Sequence, residues 1–314
     1  MNAKPVTVLV PAYRPDRIAE TIDTLARQEF KEFRVRVGSD YAPGYTLPDL
    51  LCDELDVEVV HHSRRLGWVG NVNALLASVD TPYFVIVAHD DGLSPGFLMA
   101  AVQALESCPD AVVAHGATEH RGVVRAGELA TTGSICGTPF ERVGEFIRRG
   151  PHRAELGWRG LIRRNALPRE PRLRARLSDG QFANTVFSLE LLLYGNSVSL
   201  EGIRYVKNTG PAGLSRDLVS RSVDEKSSML ADNLACLAVA LAEAADRLSF
   251  AERETILTDY TIWLMTLQGP WNVLANERDS SRRRFGDLRA PVARLLARSL
   301  LSSMSVEPRP SDET

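Results

Sequence analysis

The first half of the chain alternates short apolar runs with amphipathic segments. Runs rich in β-branched residues, or apolar residues that alternate with arginine, predict strands at 6–10, 33–37, 57–60, 83–88 and 111–114. Apolar residues at helical spacing predict helices at 16–28, 66–79 and 94–106, the second of them entered through a loop. Because strand and helix follow each other in turn, we expect an α/β fold with a mostly parallel sheet flanked by helices.

From about residue 117 this alternation stops. Residues 142–176 are rich in arginine, which we interpret as a solvated face, with binding of an anionic acceptor or of a membrane surface as alternatives. Beyond Gly213 the periodicity predicts long helices at 223–248, 250–267 and 288–304. We therefore expect a helical C-terminal region that packs on the rest of the chain or forms the seam of a homodimer.

The composition of the 314 residues is that of a globular protein, with 44% hydrophobic and 25% charged residues. A net charge of −3 gives no overall attraction to nucleic acid. The N-terminus does not resemble a signal peptide, and no apolar stretch is long enough to span a bilayer. Reduced thiols and a cytoplasmic location are predicted because metal-ligand and redox spacing is missing between Cys52, Cys108, Cys136 and Cys236.

Polar side chains follow several of the predicted strands. Tyr13 follows the first strand and Asp40 the second, while Asp90 and Asp91 follow the apolar strand at 83–88. The carboxyl ends of parallel strands meet at one edge of a sheet, where ligands bind. A carboxylate pair at the end of a buried strand favours a divalent cation, Mg²⁺ or Mn²⁺, that also holds phosphate oxygens. The alternative is that the two aspartates begin a turn and cap the next helix.

The segment 64–73, RRLGWVGNVN, places two glycines and two asparagines at the start of a predicted helix. Glycine lets backbone N–H groups approach a ligand closely, and the N-terminus of a helix attracts anions. The segment therefore indicates a loop that faces an anionic ligand, with an ordinary glycine-containing loop as the alternative.

Taken in order, PAY (11–13), SD (39–40), RLGWVGNVNALL (65–76) and YFVIVAHDD (83–91) resemble the nucleotide-binding half of a family 2 inverting glycosyltransferase. The resemblance implies a GT-A fold. It implies that the base of a sugar nucleotide is held by Pro11, Ala12, Tyr13 and Asp40. It also implies a DXD-like motif in which Asp90 contacts the ribose or diphosphate and Asp91 holds the metal. The remaining candidates for the donor site are Arg65 and Asn71.

The resemblance continues downstream to about residue 215. The segment 158–163 is similar to the family's segment near the acceptor, and LSDG (177–180) is similar to the segment that supplies the catalytic base. This implies Asp179 as the base, with a helix-capping role for Asp179, or Glu190 as the base, as alternatives. Many members carry a histidine near Lys207, whereas this chain has none beyond residue 152. Lys207 is therefore the candidate cation for the diphosphate.

These inferences divide the chain into three expected parts: 1–115 binds the nucleotide sugar, 116–215 binds the acceptor and carries the base, and 216–314 is a helical extension. The expected reaction transfers a hexosyl group, with inversion, from a UDP-, GDP- or dTDP-sugar to the hydroxyl of an acceptor that stays open. The alternative is a non-catalytic module that binds the sugar nucleotide. A nucleotidyltransferase would need a basic glycine-rich loop after the first strand, and a dehydrogenase a G-x-G-x-x-G motif; PAYRPD stands there instead.

Overall fold

The computed structural model describes residues 4–13, 17–47, 55–122, 126–150, 158–167, 171–175, 180, 182–209, 223–266 and 279–304. The chain separates into two compact units, Met1–Arg216 and Asp217–Thr314. The expected functional division of the first unit near residue 115 stays a prediction.

The first unit is built from strands and helices that alternate at first and then become irregular. Its strands are β1 (Val6–Ala12), β2 (Phe33–Ser39), β3 (Val57–His61), β4 (Tyr83–Ile86), β5 (Gly92–Leu93), β6 (Ala111–Gly122), β7 (Leu129–Ala130), β8 (Gly160–Arg163) and β9 (Asn196–Thr209). Its helices are α1 (Ile18–Ala26), α2 (Gly67–Leu76), α3 (Phe97–Ser107), α4 (Pro139–Arg149) and α5 (Ala183–Tyr194), with a 3-10 turn at Arg164–Ala166.

The strands form one sheet in the order β3-β2-β1-β4-β8-β6-β9-β5, with β7 paired to β6. Four of the five predicted strands form the half β3-β2-β1-β4, which is parallel throughout, and the fifth, at 111–114, begins β6 in the other half. The other half is mixed, because β8 runs antiparallel to both β4 and β6, whereas β9 runs parallel to β6. The α/β fold with a helix-flanked sheet is confirmed, and the antiparallel ladders are an addition that the sequence pattern does not show.

Both faces of the sheet are buried at β1 and β4, which explains why these two strands are largely apolar. Along β1, Val6, Val8 and Val10 contribute to the core under α1 and α3. The intervening Leu9 packs into the core under α2 and α5, as does Phe84 of β4. Alternate side chains of one strand thus fill two separate cores. In open sheets of this kind, ligands bind at the edge formed by the carboxyl ends of the strands.

The arginine-rich segment is largely built into the fold, and its interpretation as a solvated face was wrong for several members. Arg142 is buried and donates to the carbonyl oxygens of Leu192 and Leu193 at the end of α5. Arg163 likewise donates to the carbonyl oxygens of Leu105 and Cys108 at the end of α3. The last carbonyls of a helix lack partners within the helix, so a guanidinium with several donors satisfies them.

The second unit consists, in its described part, of three helices: α6 (Val223–Glu243), α7 (Phe250–Thr266) and α8 (Asp279–Met304). Its core includes Leu237 and Leu241 of α6, Leu257 of α7 and Ala297 of α8, all fully buried. Within the described residues, no helix combines the length and apolar character that crossing a membrane requires. The helical nature of this region follows from its apolar periodicity, and the start of α8 lies nine residues before the predicted position.

Candidate functional site

Three predicted donor-site residues lie near the carboxyl ends of β1 and β2. Tyr13 follows β1, Asp40 follows β2, and Arg65 comes from the loop between β3 and α2. β1 pairs in parallel with both β2 and β4, and the backbone N–H of Asp40 donates to the carbonyl oxygen of Ala12 at 2.9 Å. Beyond Ala12, the guanidinium of Arg65 lies over the ring of Tyr13, 4.7 Å from its centroid. A half-exposed aromatic ring with a cation on one face is a suitable surface for stacking a nucleotide base. Pro11 is half-buried within β1, and Ala12 is buried there.

Asp40 is buried at 6% exposure and caps the N-terminus of α2. Its Oδ1 accepts from the backbone N–H groups of Tyr41 at 3.0 Å and Leu66 at 2.7 Å. Its Oδ2 accepts from the N–H of Gly67 at 2.9 Å. Because a helix N-terminus carries unpaired N–H groups and partial positive charge, a carboxylate stabilises it. Asp40 therefore holds the loop that carries Arg65, and Oδ2 keeps a lone pair for a further donor.

Asn71 is buried at 2% exposure, and its amide is engaged inside the protein. Its Nδ2 donates to the carbonyl oxygen of Gly38 at 2.8 Å, and its Oδ1 lies 3.1 Å from Nε2 of His62. A Cβ on Gly38 would come within 2.1 Å of the Asn71 Oδ1, so only glycine allows this approach of α2 to β2. Asn71 therefore fixes α2 on the sheet. Its contact with the donor stays a prediction.

Asp91 lies in the turn beyond β4 and is held by β9. Its Oδ2 accepts from the hydroxyl of Tyr205 at 2.9 Å, and its Oδ1 accepts from the backbone N–H of Asn208 at 2.9 Å. Burial, together with the neighbouring Asp90, raises the pKa of Asp91 to about 6, whereas the positive charge of Arg159 acts in the opposite direction. The carboxylate is thus oriented by two donors in a site where a cation would be stabilising.

Asp90 lies in the same turn as Asp91 but is more exposed. Its carbonyl oxygen accepts from Nδ2 of Asn208 at 2.5 Å, and among the described residues no hydrogen bond reaches its half-exposed carboxylate. Lys207 precedes Asn208 and shares a face of β9 with Tyr205, because side chains alternate along a strand. Lys207 thus lies on β9, the strand whose Tyr205 and Asn208 hold Asp91.

The two aspartates fit a divalent cation of the magnesium type. Mg²⁺ is commonly held by one or two carboxylates together with phosphate oxygens and water, so two adjacent carboxylates suffice. No cluster of three or more histidine, cysteine, aspartate or glutamate side chains suited to a metal occurs in the described part of the chain. A cation here would depend on Asp90, Asp91 and the ligand's own oxygens.

The predicted base, Asp179, lies outside the described residues, but the described residues on either side of it contact α2 and α5. The amide of Asn73 on α2 donates to the carbonyl oxygen of Leu173 at 3.0 Å and accepts from its N–H at 2.7 Å. Gly180 has φ +48°, and a Cβ there would meet Cγ2 of Val69 at 2.2 Å. Glu190, the alternative base, is held by both nitrogens of the Arg174 fork at 2.8 and 3.1 Å.

Sequence reasoning missed three residues of this site: Tyr205, Asn208 and Arg159. The first two lie on β9, a strand that the polar sequence around Lys207 did not reveal. Arg159 is buried directly before β8, and its guanidinium lies 5.1 Å from the centroid of the Tyr205 ring. The only signal for it was its place in the segment 158–163, which also contains Trp158, edge-on to Trp68 of α2 with 5.4 Å between ring centroids.

Comparison with solved structures shows the same fold. The structure of residues 1–349 of S. aureus TarS superposes with a TM-score of 0.66 at 15% identity, over 93% of this chain and 80% of that chain. The same protein in complex with UDP-GlcNAc gives a TM-score of 0.57 at 15% identity, over 95% of this chain and 90% of that chain. Its complex with UDP gives 0.56 at 16% identity, with the same coverage. This likeness shows a GT-A fold.

At the level of sequence, no curated protein matches the chain. The family model for glycosyl transferase family 2, however, matches residues 7–169, which is just over half of the chain. The match spans β1 to β8 and includes Asp40, Arg65 and the Asp90–Asp91 turn. The chain belongs to glycosyl transferase family 2.

Proposed function

We propose that this protein is an inverting glycosyltransferase that moves a hexosyl group from a nucleotide diphosphate sugar to an acceptor hydroxyl. The observation that carries the proposal is the Asp90–Asp91 turn beyond β4, on the same sheet edge as Asp40 and the Tyr13–Arg65 pair. The carboxyl ends of parallel strands are where open sheets bind nucleotides. Membership of glycosyl transferase family 2 supports a sugar-transfer reaction at this edge.

The donor would lie with its base against Tyr13, Arg65 and Asp40. Pro11 and Ala12 would shape the backbone beside the base, and Asn71 would keep α2 in place behind it. We propose a uridine, guanosine or thymidine diphosphate sugar and would test UDP-sugars first, since S. aureus TarS was solved with UDP and with UDP-GlcNAc. Arg65 is expected to contribute to base stacking through its contact with Tyr13.

The diphosphate would lie at the Asp90–Asp91 turn, where the two carboxylates would hold Mg²⁺ or Mn²⁺. Bound there, such a cation neutralises charge that develops on the leaving diphosphate. Lys207 would add a second, fixed positive charge from β9. The half-exposed carboxylate of Asp90 is available to a ligand, and that of Asp91 is already oriented by Tyr205 and Asn208.

In the proposed reaction the acceptor hydroxyl oxygen attacks the anomeric carbon from the face opposite the diphosphate. The new C–O bond forms as the bond to the diphosphate oxygen breaks, and that oxygen keeps the electron pair. The hydroxyl proton passes to the carboxylate of Asp179 as general base. Glu190 is a weaker candidate for this role, because Arg174 occupies both of its oxygens. Attack from the opposite face inverts the anomeric configuration.

The second candidate function is a module that binds the sugar nucleotide without transferring the sugar. The ion pair between Glu190 and Arg174 favours the binding module, because it leaves Asp179 as the one other candidate for the base. Product analysis separates the two functions. Release of UDP from UDP-GlcNAc in the presence of an acceptor supports the enzyme, whereas tight donor binding without release under any acceptor supports the module.

Three further properties remain proposals. A cytoplasmic location is supported by the free thiols of Cys108, Cys136 and Cys236. Peripheral membrane contact is a proposal for the arginine-rich segment 142–176, and a homodimer is a proposal for the C-terminal helices, where Leu295 on α8 is 70% exposed. Sedimentation with anionic vesicles would test the first and light scattering the second. The acceptor's identity is open.

The decisive experiment is a thermal-shift panel of UDP-, GDP- and dTDP-sugars, each measured with Mn²⁺, with Mg²⁺ and with EDTA. A ligand at about 100 times its Kd stabilises a protein by roughly 2.7 kcal/mol, which is readily detected. We expect one nucleotide class to raise the Tm, and to do so more strongly with a divalent cation. No shift with any donor would overturn the proposed function.

A further inference from the structure

Asp91 is buried, and within the described part of the chain no hydrogen bond or ion pair joins its carboxylate to a lysine or arginine. It is 6% exposed, and the partners of its carboxylate are the Tyr205 hydroxyl and the Asn208 N–H, both on β9. The Tyr205 hydroxyl also accepts from the backbone N–H of Ala88 at 3.3 Å. Taking a carboxylate out of water is costly unless its oxygens are satisfied and its charge is balanced.

A balancing positive charge lies over the Tyr205 ring. Arg159 is 5% exposed, and its guanidinium lies 5.1 Å from the ring centroid, at the distance of a cation–π contact. Its charge favours the ionised form of Asp91. Arg159, Tyr205 and Asp91 therefore form a row that runs from β8 across β9 to the turn beyond β4.

We propose that Arg159 and Tyr205 are positioning residues of the donor site, in which Arg159 fixes the Tyr205 ring so that its hydroxyl aims the Asp91 carboxylate at the incoming diphosphate. The inference rests on the proposed function and goes beyond it by assigning two residues to the site. Neither residue need touch the donor. Their effect on binding is predicted to pass through Asp91, because Tyr205 donates directly to it and Arg159 stacks on Tyr205.

The chain contains a matched control for the arginine. Arg163 lies four residues after Arg159, at the end of β8, and its guanidinium is 5.6 Å from the centroid of the Tyr83 ring. It also donates to the carbonyl oxygen of Cys108 at the end of α3. Arg163→Gln therefore removes the same kind of arginine–tyrosine contact from a neighbouring position of the chain, away from the contacts of Asp91.

The test measures the Kd of UDP, GDP and dTDP with Mg²⁺ by calorimetry, for Tyr205→Phe, Arg159→Gln, the conservative Arg159→Lys, and the double variant Arg159→Gln with Tyr205→Phe. We expect Tyr205→Phe to raise the Kd about tenfold, because it removes a hydrogen bond to a buried carboxylate. We expect Arg159→Gln to raise the Kd by up to about tenfold, because it removes the cation that fixes the Tyr205 ring. Since both act through one row, the double variant should lose no more than Tyr205→Phe alone. Arg159→Lys should recover most of the affinity, and Arg163→Gln should leave Kd within about twofold while lowering Tm.

The outcomes separate the inference from the function beneath it. Nucleotide binding that is unchanged in Tyr205→Phe and Arg159→Gln overturns the inference alone. If the losses of nucleotide affinity add up in the double variant, Arg159 and Tyr205 do not act through one row. If Arg159→Gln and Arg163→Gln lose equal affinity, Arg159 has a structural role only. Failure of the unaltered chain to bind any of the three nucleotides overturns the proposed function and this inference with it.

Discussion

The carboxylate of Asp40, at the end of β2, accepts a hydrogen bond from the backbone N–H of Gly67 at 2.9 Å, and so begins α2 from a distance of 27 residues along the chain. The contact joins two features that were separate predictions: a nucleotide-contacting aspartate and a glycine-containing loop that opens a helix. One side chain can serve both purposes, because capping leaves a lone pair on Oδ2. The fold itself therefore holds the loop that carries Arg65 in place.

Replacing Asp40 should affect stability and donor binding together. Asp40→Ala removes the acceptor of three N–H groups, and we expect the free energy of unfolding to fall by about 1–2 kcal/mol. Asp40→Asn keeps one acceptor oxygen and should lose less. Urea unfolding and UDP titration on the same samples give both quantities.

A helix cap elsewhere provides the control for Asp40. Thr138 accepts from the N–H of Glu141 at the start of α4, within a capping box. Thr138→Ala should lower stability by about 1 kcal/mol and leave UDP binding unchanged. Equal loss of UDP binding in both variants would contradict a specific role for the Asp40 loop.

The buried Asp91 should make stability depend on pH between about 4 and 6. Its pKa is raised in the folded protein from 3.8 to about 6, so folding favours its protonated form. As pH rises through this window the unfolded chain ionises first, and the folded state becomes less stable by at most about 3 kcal/mol. The difference in unfolding free energy between the unaltered protein and Asp91→Asn, measured in EDTA, should therefore shift against the unaltered protein from pH 4 to pH 6.5. A difference that is flat with pH would contradict a raised pKa of Asp91 in the folded protein.

Asp179→Asn should separate donor binding from transfer. A neutral amide cannot accept the acceptor's proton, and loss of a general base lowers kcat by roughly 10²–10⁴-fold. The Kd of the donor should stay within about twofold, since the base faces the acceptor in the proposed reaction. Single-turnover transfer and donor titration measure the two, and retained transfer would remove Asp179 as the base.

Glu190→Gln should behave in the opposite way. Its fork with Arg174 is largely buried, with the side chains of Glu190 and Arg174 17% and 9% exposed, so the substitution removes a charged partner of a buried guanidinium. We expect a loss of about 1–3 kcal/mol in unfolding free energy, because a hydrogen-bonded charge partner is removed, and little change in kcat per folded molecule. A kcat as low as that of Asp179→Asn would instead assign the base to Glu190.

Much of the fold and part of the site could be read from local sequence. A largely apolar run marks β1 and β4, which are buried on both faces, and the alternation of apolar residues with arginine marks β2. The polar residues that follow those strands, Asp40 and the Asp90–Asp91 turn, were recognisable for the same reason, since the pattern changes abruptly where each strand ends. The long C-terminal helices show the periodicity of one apolar face.

Only the tertiary structure decided what those residues contact. Asp40 reaches Gly67, Asp91 reaches Tyr205 and Asn208, and Arg142 and Arg163 close the ends of helices far from them in sequence. β9 escaped detection because its polar alternation is also compatible with a loop, and its pairing with β6 and β5 supplies the stability that its composition does not. Local sequence determines which segments become strands or helices through the burial of apolar faces. The partners of a buried charge are determined by which segments the folded sheet places side by side, a long-range property that no local pattern encodes.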